Sequence, residues 1–170
     1  GDVANEVTVV SGSITSLFQS GADTPLTYGL NSNTSSLPAL TSGGVAITYS
    51  VVGNTLTASA GGNPVFSLQV NANGTYTFTL IDQLDHPIGA GENDLSINLG
   101  SIIQATDFDG DSALANGNGL IITVDDDSPT ASGTQLTATV DEDGLPGGIP
   151  GGSGDVANEV TVVSGSITSL

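Results

Sequence analysis

Asp107-Phe108-Asp109-Gly110-Asp111 sets three carboxylates at alternate positions with a glycine among them. Carboxylate oxygens are hard ligands, glycine lets a chain turn tightly, and calcium takes about six to eight oxygens in a flexible shell. The spacing therefore points to a calcium loop, with a solvated acidic turn as the plain alternative. It is not an EF-hand loop, because no glutamate stands at the twelfth position and no helical pattern flanks it. A second run, Asp125-Asp126-Asp127, places like charges side by side. Unit charges ~4 Å apart repel by about 1 kcal/mol even in water, and a cation reverses the sign of that interaction. Asp141-Glu142-Asp143 forms a third cluster and Glu92-Asn93-Asp94 a weaker fourth. For these two, a solvated loop stands beside the ligand reading.

The distribution of charge sharpens the point. Thirteen of the eighteen acidic residues fall between Asp82 and Asp143, and before them come only Asp2, Glu6 and Asp23, with Asp2 and Asp23 outside any cluster. There is no lysine or arginine, so the formal charge is −18 and the carboxylates have no internal lysine or arginine partner. A divalent cation from outside is the simplest counter-charge. A surface with no fixed positive charge does not neutralise phosphates, which argues against nucleic acid and against direct contact with an anionic membrane. The missing basic residues suggest an extracellular, saline setting, where net charge keeps a protein soluble and salt screens its repulsion.

Other chemistries find little support. His86 is the only histidine, and a packing role in its loop, sharing a turn hydrogen bond, is expected of it. Zinc needs more nitrogen or sulfur ligands than the chain offers, since cysteine is absent. No G-x-S-x-G elbow accompanies Asp85-His86. A carboxylate-pair hydrolase is conceivable, but the repetition described below is the wrong design for a single catalytic site, and no enzyme activity is expected.

The elements that must hold these loops are strands. Phe66, Leu68 and Val70 alternate with polar residues, as do Tyr76, Phe78 and Leu80, and Asn71-Ala72-Asn73-Gly74 between them reads as a hairpin turn. A second hairpin is expected where 45–52 meets 55–60 across Gly53-Asn54. Further strands are predicted at 6–17, 26–30, 95–99, 120–124 and 135–140, with one short helical turn over 101–105. Many short strands punctuated by glycine, asparagine and proline imply an all-β fold, an antiparallel sandwich. At 37% hydrophobic residues the chain has enough apolar mass for one core rather than an unfolded acidic tail.

Residues 1–17 (GDVANEVTVVSGSITSL) return unchanged as residues 154–170. The chain thus carries one repeat of a tandem array with a period of 153 residues. The expected division is a main repeat over 1–124, a junction over 125–133 and the N-terminal part of the next repeat over 134–170. On that division the strand at 135–140 has no counterpart in the first repeat. The tail is therefore expected to fill an empty sheet edge in another copy, exchanging strands head to tail.

Four motifs in sequence carry a resemblance: Asn73-Gly74-Thr75-Tyr76-Thr77-Phe78, Leu84-Asp85-His86-Pro87, Ala105-Thr106-Asp107-Phe108-Asp109-Gly110-Asp111, and Ile122-Thr123-Val124-Asp125-Asp126-Asp127-Ser128-Pro129. Together they resemble the tandem extender repeats of giant type I-secreted RTX adhesins. The resemblance implies an immunoglobulin-like β-sandwich. It also implies calcium ligation by Asp107, Asp109 and Asp111 and by the junction residues Asp125, Asp126 and Asp127, and says less of Asp141, Glu142 and Asp143. The implied partners are neighbouring repeats of the same polypeptide. The implied role is a calcium-stiffened spacer at the bacterial cell surface, projecting a distal ligand-binding region for attachment and biofilm formation. The alternative is a module that binds a carbohydrate or surface directly, through exposed loops or the threonine row Thr75, Thr77 and Thr79. Ordinary β-propensity already accounts for that row, and the chain has no tryptophan and only three tyrosines to offer a sugar.

Overall fold

The computed structural model describes residues 7–89, 93–129, 131–149, 151–153, 155 and 160–168. Asp2, Glu6 and Glu92 lie outside them. The chain divides into two units, residues 1–128 and 129–170, and the division falls inside the stretch read as a junction.

The first unit is all-β and antiparallel throughout. Its strands are β1 (Val9–Ser13), β2 (Thr27–Leu30), β3 (Thr41–Ser42), β4 (Val45–Val52), β5 (Thr55–Ala60), β6 (Asn63–Val70), β7 (Thr75–Leu80), β8 (Leu95–Asn98), β9 (Ile103–Thr106), β10 (Ser112–Leu114) and β11 (Ile121–Val124). A six-stranded sheet runs β1-β7-β6-β5-β4-β3, a three-stranded sheet β10-β9-β2, and a two-stranded sheet β11-β8. They close on one apolar cluster, to which the large sheet gives Leu56, Phe66, Leu68, Val70 and Phe78, and the rest of the unit gives Ile97, Leu99, Ile102, Ile103 and Ile122. This is the antiparallel β-sandwich expected. Among the described residues, no helix is long and apolar enough to cross a membrane.

Both predicted hairpins form. β4 and β5 meet around Gly53-Asn54, and β6 and β7 around Asn71–Gly74, where the Gly74 amide donates to the Asn71 carbonyl at 2.9 Å. The alternation in β6 is interrupted by a bulge. Between Ala58 and Ser59 the register on β6 jumps from Phe66 to Pro64, so Val65 has no partner on β5, and both Val65 and Phe66 are fully buried. A bulge of this kind turns two neighbouring side chains inward at once.

Three sequence expectations need correction. Residues 135–140 form no strand, and every residue from Ala131 to Val140 is exposed. A strand needs a neighbour for its amides and carbonyls, and this segment has none among the described residues. The predicted turn over 101–105 is instead a 3₁₀ turn at Gly100–Ile102 running directly into β9. The segment 6–17 shortens to β1 followed by a 3₁₀ turn at Thr15–Leu17, which lets Ile14 enter the core while the strand ahead of it stays at the surface. β3, β9 and β10 were not foreseen; they are short, and local alternation gives little signal at that length.

Candidate metal centres

The carboxylate loop 107–111 is the connection of the β9–β10 hairpin. Thr106 faces Ser112 across the ladder, and their hydroxyls are 2.7 Å apart. Beyond that pair the Asp107 amide donates to the Asp111 carbonyl at 3.0 Å. Asp107 Oδ1 accepts the amides of Gly110 and Asp111 at 3.2 and 2.9 Å. Gly110 has φ +102°, a conformation that side-chain-bearing residues rarely adopt. The spacing seen in the sequence is thus a tight hairpin turn, organised by Asp107 and made possible by Gly110.

The third carboxylate comes from elsewhere. β2 pairs with β9 in the register Thr27↔Thr106. Because the strands are antiparallel, the chain just before β2 lies beside the chain just after β9. Asp23, expected to stand apart, is therefore brought to Asp107 and Asp109, and one oxygen from each of the three lies within 4.8 Å of the others. Asp111, expected as the third ligand, is not in this group. Its backbone amide and carbonyl both bond Asp107, while Phe108 is 79% exposed.

A second group forms in the second unit. Asp141 caps the 3₁₀ turn Glu142–Gly144, its Oδ1 accepting the Asp143 amide at 3.0 Å. The Asp141 amide in turn donates to the Val160 carbonyl at 2.9 Å. Carboxylate oxygens of Asp141, Asp143 and Asp155 lie within 4.8 Å of one another, beside a cavity of 310 Å³ also lined by Gly151, Gly152 and Ser153. The Asp143 carboxyl is pushed above the usual carboxylate range, first by partial loss of solvent and then by the negative charges of Asp141, Asp155 and Glu142. Glu142 belongs to the cluster electrostatically but is not one of the three converging groups.

Both triads pass a simple test for calcium. Calcium–oxygen bonds are about 2.3–2.6 Å, so two oxygens on opposite sides of one ion are about 4.6–5.2 Å apart. Separations of no more than 4.8 Å are compatible with that span, and the donors are hard oxygens with no lysine or arginine in the chain to neutralise them. Asp23, Asp107 and Asp109 would hold one ion and Asp141, Asp143 and Asp155 another, each ion supplying positive charge where carboxylates otherwise repel. Asp125, Asp126 and Asp127, which follow β11, are in neither triad among the described residues. Glu92 is outside the described residues, so the 92–94 group cannot be placed.

Sequence reading missed Asp23 and Asp155. Asp23 lies 84 residues from Asp107, and only the β2–β9 register joins them. Asp155 is the second copy of Asp2, the other residue expected to stand alone.

His86 and Asp85 bond backbone groups of neighbouring loops. The His86 Nδ1–H donates to the Asn93 carbonyl at 2.5 Å. The two Asp85 oxygens accept the amides of Gly43 and Gly44 at 2.8 Å each, tying down the turn between β3 and β4. The Asp85 carboxyl is held below the usual range by the Thr41 hydroxyl first and then the Gly44 amide. Partial desolvation opposes them, and the Gly43 amide and His86 add less. The threonine row on β7 is partly engaged: Thr77 Oγ1 and Ser11 Oγ of β1 are 3.2 Å apart.

Residues 2–118 match the profile of a family described as a domain of unknown function (DUF5801). No curated protein matches the chain, and no solved structure does.

Proposed function

The chain belongs to the DUF5801 family, and we propose that it serves as an extender: a spacer repeat of a bacterial cell-surface RTX adhesin, stiffened by calcium and projecting a distal ligand-binding region for attachment and biofilm formation. The observation that carries this reading is the unchanged return of seventeen residues after a period of 153. Such near-identity between successive repeats suits a part whose useful property is length, because each unit adds the same increment. The two carboxylate triads supply the second support, since six aspartates converge in threes in a chain with no lysine or arginine. On this reading Asp107 orders its loop through the Gly110 and Asp111 amides, Asp23 ties the approach to β2 against it, and Asp141 shapes the turn that presents Asp143. Bound calcium supplies the counter-charge that locks each group. The protein lies outside the cell, and its immediate partners are the repeats before and after it.

The test is a chain of several repeats followed by thermal melting and small-angle scattering, with calcium and with chelator. Calcium at 100 times its dissociation constant stabilises the native state by roughly 2.7 kcal/mol per site, and extracellular calcium modules bind at about 10⁻⁴–10⁻³ M. Chelation is expected to lower the melting temperature and to make the array more flexible. Unchanged melting together with an unchanged maximum dimension overturns the proposal.

A further inference from the structure

Asparagine followed by glycine can alter its own covalent structure, because glycine has no Cβ to keep its backbone nitrogen away from the preceding side chain. The chain has three such pairs, Asn73-Gly74, Asn116-Gly117 and Asn118-Gly119. All three asparagines are exposed, so access to solvent does not distinguish them. Hydrogen bonding does. The Gly74 amide donates to the Asn71 carbonyl at 2.9 Å, and Asn73 Oδ1 accepts the Thr75 amide and hydroxyl at 3.0 and 2.8 Å. The Gly119 amide donates to the Asn116 carbonyl at 2.8 Å, and Asn118 Oδ1 accepts Asn98 Nδ2 at 2.8 Å. In both pairs the nitrogen and the side chain are held. Asn116-Gly117, in the loop between β10 and β11, differs on every count. Among the described residues nothing accepts the Gly117 amide or bonds the Asn116 side chain, and a Cβ at Gly117 would meet nothing within 4 Å.

We propose that Asn116-Gly117 is a self-modification site, at which the folded chain converts Asn116 to aspartate and isoaspartate while Asn73 and Asn118 stay intact. The Gly117 nitrogen gives its proton to solvent and bonds to the side-chain carbonyl carbon of Asn116. The bond from that carbon to Nδ2 breaks, and the nitrogen leaves as ammonia with a proton from water. Water then opens the resulting succinimide ring. Addition at the side-chain carbon gives aspartate, and addition at the main-chain carbon gives isoaspartate. Either product adds negative charge to a chain already at −18. Isoaspartate also routes the main chain through the side-chain carbon, which lengthens a loop whose two ends are fixed. At one end the Ala115 amide donates to the Ile103 carbonyl at 2.9 Å, and at the other the Leu120 carbonyl accepts the Leu99 amide at 2.8 Å; both residues are buried. Between them the loop backbone lies against Gly100, where a Cβ would come within 2.9 Å of the Asn116 and Gly117 carbonyl oxygens and 2.5 Å of the Gly119 nitrogen. The inner side of the loop has no room for a longer main chain.

Incubation of the full chain at mildly alkaline pH, where the attacking amide gives up its proton more readily, tests this. Conversion is read by peptide mapping with mass spectrometry and by isoaspartyl methyltransferase labelling. Asn116 is expected to convert at least about tenfold faster than Asn73 or Asn118, because those two react only after local opening. In strong denaturant all three are released, and their rates should draw together. Gly117→Ala places its Cβ in open space at an ordinary φ, so the melting temperature should not change. The added Cβ shields the nitrogen, and conversion at Asn116 should slow by at least about tenfold. After equal incubation the wild type should melt below Gly117→Ala. Asn116 converting no faster than the other two in the folded chain, or keeping the same lead in denaturant, overturns the proposal. Undiminished conversion in Gly117→Ala overturns the assignment of the attacking nitrogen, and equal melting after conversion overturns the strain on the loop.

Discussion

Aspartate does three different jobs in this chain. Asp85 is bonded on both oxygens by backbone amides and by the Thr41 hydroxyl, and its carboxyl is held below the usual range. A carboxyl with a lowered folded pKa contributes stability that is present above its unfolded value, ordinarily about 3.9, and is lost as pH falls through the folded value. Asp85→Asn is therefore expected to lower the melting temperature at pH 7 and to flatten its fall in acid; an unaltered pH profile would contradict the assignment. Asp143 shifts the other way, since partial loss of solvent first, and then the negative charges of Asp141, Asp155 and Glu142, make ionisation costly. Protons compete with a cation there, so calcium bound at that group should weaken as pH falls through the raised Asp143 value, read by calorimetric titration at successively lower pH. The third job is convergence. Asp23→Asn and Asp109→Asn should each weaken calcium binding more than Asp82→Asn, an exposed carboxylate outside both triads whose oxygen accepts the Gln83 amide. Equal effects at the three positions would mean that calcium merely screens the total charge.

Elements were legible in the sequence where the determinants are local. The β4–β5 and β6–β7 hairpins have alternation on both sides of a turn that needs positive φ, and their bounds could be read almost to the residue. The Val65 bulge was not legible, because it shows only as two adjacent buried residues that strict alternation cannot accommodate. The loop 107–111 was readable as a turn with ligands, yet its real third member, Asp23, depends on a strand pairing 79 residues apart in the chain. The segment 135–140 failed for the complementary reason: its pattern is that of a strand, and no neighbour is supplied among the described residues. The duplicated segment makes the same point with composition held fixed, since identical residues form β1 beside β7 and no strand at 162–166. Ile14→Ala should cost about 2–5 kcal/mol of stability, the usual range for an emptied core isoleucine. Ile167→Ala should change it by less than about 0.5 kcal/mol. Denaturant unfolding of the two variants measures both.

At the scale of the whole molecule, charge and chain order matter most. With −18 and no lysine or arginine, repulsion among carboxylates acts against the folded state. Sodium chloride should therefore raise the melting temperature, and calcium should raise it further at matched ionic strength if the triads bind it. The order of the six-stranded sheet has a kinetic consequence. β4, β5, β6 and β7 are consecutive and joined by short turns, whereas β1 reaches β7 across 66 residues. Closing a long loop costs entropy before its contacts repay it, so the β4–β7 meander should collapse first and β1 should dock last. Mutations in the meander, such as Phe66→Leu, should then slow refolding, while Ile14→Ala should mainly speed unfolding, as a chevron plot would separate. Until β1 arrives, the β7 edge stands open to whichever copy of the sequence reaches it first. On the spacer reading proposed above, that is a race between a repeat's own first strand and its neighbour's, and correct assembly would depend on each repeat closing faster than the next one emerges.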